Sequence, residues 1–282
     1  MLNNKKYFYN CKVINMFKKK FLSLIMLLST SKTLTLFFDC DPKFYMNFDS
    51  GVSWALKPNF CVDLCPLDDT GAPGCFDIAE QGYNSSLGNA FLYGLEAGLD
   101  LNDWLSMGTG FTYRGQYNYC KYQTVTGQPV DRVRQFDFEN FSFMYNIYLN
   151  RTQNPCWSYD ICNWTIAPYI GGGVGTSRNS LYNFHTVYVK VRPFRDNTVN
   201  TDVSVVMTPN VKSTFAAQFM VGAEADYNEK VSLALGYRFF YGGKLVTNNY
   251  AFFTEGGYFE TNNPWVGTFK ANEIVFSLHV TF

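Results

Sequence analysis

At 282 residues the chain has room for one large domain or two ordinary ones, and 47% hydrophobic residues leave no case for general disorder. A mean hydropathy of −0.13 excludes a helical multi-pass membrane protein. The 23 basic residues balance the 23 acidic ones, so no basic footprint points to nucleic acid.

Aromatic residues are frequent, with 27 Phe and 20 Tyr against 5 Trp, whereas aliphatic residues usually dominate the core of a soluble enzyme. In chain order, residues 1–31 read as an export signal. Lys18, Lys19 and Lys20 precede the apolar run Phe21–Leu28, and small residues follow at Ser29, Thr30 and Ser31. Met16, immediately before the lysines, offers a second start. The apolar run is too short to cross a bilayer as a helix. Asp39 stands where a lipid-anchored Cys40 would want a small residue.

From Phe44 onward the pattern has a period of two, and successive side chains of a strand point to opposite faces. Phe44–Trp54 is the first candidate strand. Phe91, Tyr93, Leu95, Ala97 and Leu99 then oppose Gly94, Glu96, Gly98 and Asp100, and Leu105, Met107, Phe111 and Tyr113 oppose Ser106, Gly108, Gly110, Thr112 and Arg114. Phe141, Phe143, Tyr145, Ile147 and Leu149 form a further row, followed by Trp164–Gly175, whose Pro168 and glycines weaken its pairing signal. Phe215–Tyr227 and Val231–Tyr241 alternate around a short polar turn, and Ile274, Phe276, Leu278, Val280 and Phe282 close the chain. The count is about eight strands, an even number as single-chain bacterial barrels have.

Short gaps follow Leu99 and Tyr227, and a medium one covers Arg151–Asn163. Long polar stretches lie at 56–88, 120–137, 178–212 and 244–271. Short and long connections therefore alternate, as in membrane barrels with short periplasmic turns and long external loops. The face opposite the aromatic rows is small or charged, which suits a narrow lumen, and the apolar face then suits lipid. The expected fold is all-β: an eight-stranded antiparallel up-and-down transmembrane β-barrel at 44–282, with four long external loops, after a short periplasmic segment at 32–43.

Ala167-Pro168-Tyr169-Ile170-Gly171-Gly172-Gly173-Val174-Gly175, Val221-Gly222-Ala223-Glu224-Ala225, Leu235-Gly236-Tyr237-Arg238 and the terminal strand carry a family likeness. On these short motifs the chain resembles the small outer-membrane β-barrel family, including the OmpA-like transmembrane domain and the Opa-like and rickettsial-type surface antigens. The resemblance covers roughly 44–282 and implies that Phe282 is an assembly signal read by the outer-membrane insertion machinery. Its motifs report fold rather than activity.

Glu96, Arg114, Glu224 and Arg238 fall on the expected lumen face, where buried charges must pair, so a structural network is expected in preference to a gate. Of the cysteines, Cys11 belongs to the signal. Cys61, Cys65, Cys75 and Cys120 are expected to pair among themselves outside, and Cys156 with Cys162 on the periplasmic side, because a ~25 Å apolar band separates the two groups. Cys40 is left over. Cys61-x-x-x-Cys65 lacks a nearby His for a metal site, and no Lys follows Gly171–Gly173 at a phosphate-loop offset. His185 and His279 lie in no nucleophile motif.

The expectation is a non-enzymatic bacterial outer-membrane surface protein without cofactor, with a structural or adhesion role through its loops. Tyr182, Phe184, Tyr188, Tyr250, Phe252, Phe253, Tyr258 and Trp265 enrich loops three and four in aromatics and make a host or surface ligand an expected partner there. Strand extension above the membrane is the competing account of those residues. The other expected partners are outer-membrane lipid and lipopolysaccharide. A narrow porin-like channel for small solutes is the alternative, and a lipid-modifying enzyme using His185 the weaker one.

Overall fold

The computed structural model describes residues 42–58, 60–62, 87–102, 104–123, 130–149, 158–161, 163–190, 204–227, 230–248, 250–253, 258–260 and 264–282. The export signal, Cys40, Cys65, Cys75, Cys156 and Cys162 lie outside these residues.

Within them the strands are β1 (Lys43–Ala55), β2 (Cys61–Val62), β3 (Asn89–Asn102), β4 (Leu105–Gln123), β5 (Val130–Leu149), β6 (Tyr159–Ile161) and β7 (Trp164–Lys190). The series continues with β8 (Ser204–Met207), β9 (Asn210–Asp226), β10 (Val231–Val246), β11 (Tyr250–Phe253), β12 (Tyr258–Glu260) and β13 (Trp265–Thr281). Eight of them, β1, β3, β4, β5, β7, β9, β10 and β13, pair antiparallel in chain order. Pairing of β1 with β13, from Tyr45↔Thr281 to Ala55↔Ala271, closes the ring. The expected up-and-down barrel is therefore formed, and each predicted strand lies on one of its staves.

Side-chain direction follows the predicted alternation through the half of the barrel nearer the termini. Phe91 is 68% exposed and Leu235 60%, with Phe111, Phe143, Ile147, Phe219, Ile274 and Phe276 also pointing outward. Rows of exposed aromatics around a whole girth are untenable in water, and they define a belt suited to hydrocarbon. Inward positions of the same staves are small or polar, including Gly94, Gly108, Asn146, Gly173 and Ser277. At Gly175 the constraint is backbone: an added Cβ would press into the Phe143 carbonyl oxygen of the neighbouring strand.

Two expectations need correction. The polar stretches at 120–137, 178–212 and 244–271 are in large part strand: β4 reaches Gln123, β5 begins at Val130, β7 runs to Lys190 and β13 begins at Trp265. Above Leu181, β7 exchanges its partner β9 for β8, which carries β11 and then β12, so a small sheet extends the far end. Nor do all bulky aromatics face outward. Tyr117, Phe136, Phe138, Phe240 and Phe269 are buried inside.

Both errors have one cause. Beyond the belt the exterior meets water and the interior needs an apolar core, so the hydrophobic face changes sides. On β5 this happens with the backbone in step: Phe136 and Phe138 point inward, and Phe141, Phe143 and Tyr145 point outward. Irregularities between Arg114 and Tyr117, between Gln135 and Asp137 and between Tyr241 and Gly243 also interrupt a simple count by twos. Gly243 takes φ 73° there, open to glycine at little cost.

Replacing Gly175 with Val should lower the unfolding free energy of the refolded, heat-modifiable form by about 1–3 kcal/mol, the range for overpacking, read as a lower urea midpoint. An unchanged midpoint would contradict the close approach of β5 and β7.

Candidate functional site

The lumen is filled in three tiers, and every predicted charge belongs to one of them. Nearest the termini, His279 stacks on Tyr45 at 4.7 Å. Its Nδ1 is 2.8 Å from Asn47 Oδ1 and its Nε2 3.1 Å from Thr281 Oγ1. Asp100 and Glu224 carboxylates stand 3.8 and 4.0 Å from the ring nitrogens. Ser106 donates to Asp100 at 2.6 Å, and Ser232 donates to Glu224. Glu96 accepts from Tyr45 at 2.8 Å, from Tyr148 at 2.9 Å and from Asn146, whose own Oδ1 accepts from Gln218 at 2.7 Å.

The middle tier is an ion cluster. Arg114 Nε and Arg238 Nε each lie 2.5 Å from Glu273, on opposite carboxylate oxygens. Ser53 donates to Glu273 Oε1 at 2.9 Å, and Tyr117 donates to Ser53 at 2.6 Å. Arg114 Nη1 donates to Asn140 and Ser142 at 2.9 and 2.8 Å. Asp49 lies 3.4 Å from Arg238 Nη1 and accepts from Ser277 at 2.6 Å. Two cations thus face two anions. Arg114 and Glu273 are wholly buried, so their charges are held by these contacts rather than by water.

The far tier is aromatic. The Arg114 guanidinium lies over the Phe240 ring at 3.5 Å, joining the ion cluster to the apolar plug. Phe269 meets Phe138 at 4.7 Å, Tyr117 at 5.5 Å and Phe240 at 5.8 Å. Beyond it Tyr119, Phe136 and Phe184 stack at 4.5 and 5.7 Å. After β1 the chain runs beside β13, with the Thr268 amide donating to the Pro58 carbonyl at 2.7 Å. That path delivers Phe60 against Phe136 at 5.8 Å and Trp265 at 6.2 Å. A lumen cavity of about 10 Å³, lined by Asp49, Tyr148, Tyr169, Arg238 and Ser277 among others, has room for about one water.

Glu96, Arg114, Glu224 and Arg238 all point inward as expected, but they are not one another's partners. Arg114 and Arg238 share Glu273, while Glu96 and Glu224 sit in the tier below. Glu273 was legible in principle: it has the parity of Ser277 and His279, one residue before the terminal row as read from Ile274. Phe184 is buried and Trp265 half-buried in the plug rather than displayed, and Tyr182 donates to Glu139 at 2.8 Å. Tyr188 lies on β7, whereas Tyr250, Phe252 and Phe253 lie on β11 and Tyr258 on β12, in the small sheet rather than on a stave.

His185 Nδ1 lies 3.0 Å from the Asn183 carbonyl oxygen. Cys120 is exposed and free, with Gln135 Nε2 3.3 Å from its sulfur. Among the described residues no three His, Cys, Asp or Glu are grouped to hold a metal ion.

No family model matches the chain, and no curated protein matches it. Among solved structures, Neisserial surface protein A is 15% identical, with a TM-score of 0.43, over 86% of this chain and 100% of that one. The outer-membrane protein OprG from Pseudomonas aeruginosa is 13% identical, with a TM-score of 0.42, over 83% and 95%. Ail, the attachment invasion locus protein of Yersinia pestis, is 10% identical, with a TM-score of 0.30, over 84% and 99%. The chain is similar to small outer-membrane barrels. Its own strand pairing and outward apolar belt carry the assignment of a closed eight-stranded barrel.

Glu273→Gln should lower stability by about 3–5 kcal/mol, because it leaves two guanidiniums buried against a neutral amide. Tyr117→Phe should cost about 1 kcal/mol, one hydrogen bond's worth. Denaturant titration of both variants in the same micelles checks the order; equal losses would remove Glu273 from its central place.

Proposed function

We propose that the protein is an exported bacterial outer-membrane barrel with a structural and surface-contact role, exercised through the far end of its staves. The filled lumen carries this reading. Ion cluster and aromatic plug occupy the interior in sequence, so the polar exterior beyond the belt is the part left to meet partners. Those partners are a host or surface ligand at the far end, and lipid and lipopolysaccharide around the belt.

The termini end faces the periplasm in this reading. The connection after Asn102 and the one after Tyr227 are short there, while the staves extend furthest at the other end. Phe282 fits its role as an assembly signal by position: it is 71% exposed at the termini-side rim, its amide donates to the Phe44 carbonyl at 2.8 Å, and its ring lies 5.8 Å from Phe44. Cys120, expected to pair with Cys61, Cys65 or Cys75, is free; the proposal keeps one bridge between two of Cys61, Cys65 and Cys75, and the Cys156–Cys162 bridge.

Three measurements test it. Refolded protein in a planar bilayer should give no steady conductance, and regular single-channel steps would restore the porin-like alternative. A membrane-impermeant maleimide added to intact cells should label Cys120; labelling only after lysis would invert the orientation. Replacing residues 250–260 by a short Gly-Ser link should abolish cell-surface binding while the heat-modifiable barrel persists, and undiminished binding would count against a contact role for this end.

A further inference from the structure

The barrel wall changes construction between β9 and β10. Their ladder runs from Ser232↔Asp226 up to Tyr241↔Ala217 and stops there. Both strands continue: β9 reaches Asn210 paired with β7, and β10 reaches Val246 paired with β13. Above Ala217 the wall is therefore two arms, each laddered on its far side and not to the other. The irregularity between Tyr241 and Gly243 bends β10 at the point where the pairing ends.

Side chains close the space between the arms. Asn179, reaching across from β7, donates to the Gly242 and Lys244 carbonyls at 2.8 and 2.9 Å. Thr214 donates to the same Gly242 carbonyl at 2.9 Å, and Asn210 to the Val246 carbonyl at 2.8 Å. At the upper end Asn248 donates in the other direction, to the Pro209 carbonyl at 3.3 Å. A residue in an antiparallel strand points its N–H and C=O to the same side. The Lys244 and Val246 amides therefore also face this seam, where the latches serve their carbonyls alone.

The closure is loose. Val211, Lys212 and Ser213 are exposed in succession, where a strand in a continuous wall alternates. Lys212 has inward parity, opposite the buried Asn179, and yet it reaches solvent. Thr208 Oγ1, at the head of the same arm, is shut off from solvent and has no hydrogen-bond partner, which disfavours the closed state. Behind the seam lies the far-tier core, where Leu181, Ala216 and Leu245 are buried with Phe240 and Phe269.

We infer that the cap parts along this seam: the β9 arm swings with β7 away from the β10 arm on β13, and water beyond the belt reaches the aromatic core while the belt stays closed. Only side-chain bonds break in that movement, and the backbone ladders of the eight staves survive it. A hydrogen bond exchanged for one to water changes stability little, so this opening lies at the low end of the local openings the fold allows. Burial of Leu181 and Leu245 keeps the closed form as the resting one. The seam gives an otherwise filled lumen a reversible point of access. It is a property of the wall and is independent of any surface-contact role.

The test follows thiol accessibility in full-length protein refolded in micelles, with Cys120→Ser removing the exposed thiol. Ala216→Cys places a reporter just above the last rung. Ala271→Cys is the control: Ala271 is equally buried, but it is laddered to Phe240 on one side and Ala55 on the other. A small charged methanethiosulfonate is added, and peptide mapping reads the modified fraction at each position over time. Ala216→Cys should be modified roughly tenfold faster than Ala271→Cys. Adding Thr214→Val removes one latch and should quicken modification of Ala216→Cys roughly fivefold, one neutral hydrogen bond's worth, with Ala271→Cys unmoved. Equal rates at the two positions would overturn the seam. A rate for Ala216→Cys that neither Thr214→Val nor Asn210→Ala alters would overturn the latches. Modification at both positions with loss of heat-modifiable migration is unfolding of the whole barrel, and would overturn a local opening. Should Ala216→Cys fail to form the heat-modifiable barrel, Leu245→Cys reports on the same seam from β10, with the same expected order against Ala271→Cys.

Discussion

Glu273, held between Arg114 and Arg238, resolves an ambiguity that the lipid-facing pattern leaves open. Sliding one stave past its neighbour by two residues keeps every outward apolar side chain outward, because strand side chains alternate with a period of two. The belt therefore specifies which face meets lipid without specifying how far along each strand its neighbour pairs. The ion cluster does specify it. One carboxylate meets two guanidiniums only when β4, β10 and β13 stand in the observed register, and Ser53, Asp49, Asn140 and Ser142 bring β1 and β5 into the same arrangement. Burial makes the penalty for a slip large, since a displaced stave would leave a charge with neither water nor partner.

From that cluster the two halves of the lumen follow. Towards the termini, the Glu96, Asp100 and Glu224 carboxylates accept from Tyr, Ser and Asn side chains, and the bore is narrow because glycines allow Tyr45, Tyr148 and Tyr169 to lie close to the wall. Towards the far end, Phe240 beneath the Arg114 guanidinium begins an apolar stack that continues through Phe269, Phe138 and Phe136 to Phe60. The barrel thus combines two packing regimes on continuous staves: an inverted one within the belt, polar inside and apolar outside, and an ordinary water-soluble one beyond it.

That change of regime explains what could be read from the sequence and what could not. Eight staves, their order and the outward rows were legible because alternation in the belt is nearly unbroken from Phe141 to Leu149 and from Ile274 to Phe282. The inward orientation of Glu96, Arg114, Glu224 and Arg238 followed from the same parity. Their partners did not, because strand register is a relation between distant segments and Glu273 is 159 residues from Arg114. The far-end strands were obscured by polar outward residues such as Asn118, Asp137 and Glu139, which resemble loop composition. The apolar residues beside them had shifted from odd to even positions on β5, a signal present in the sequence but opposite in sense to the one being followed.

The cap beyond the belt has a core of its own, and this alters what its exterior is free to become. Side chains such as Asn118, Cys120 and Arg178 contribute neither to the aromatic stack nor to the charge cluster. Substitution at surface positions of this kind usually changes stability by no more than about 0.5 kcal/mol. Much of the outermost surface can therefore differ in shape and charge at little cost to the scaffold beneath it, so the two parts of one continuous stave answer to separate constraints.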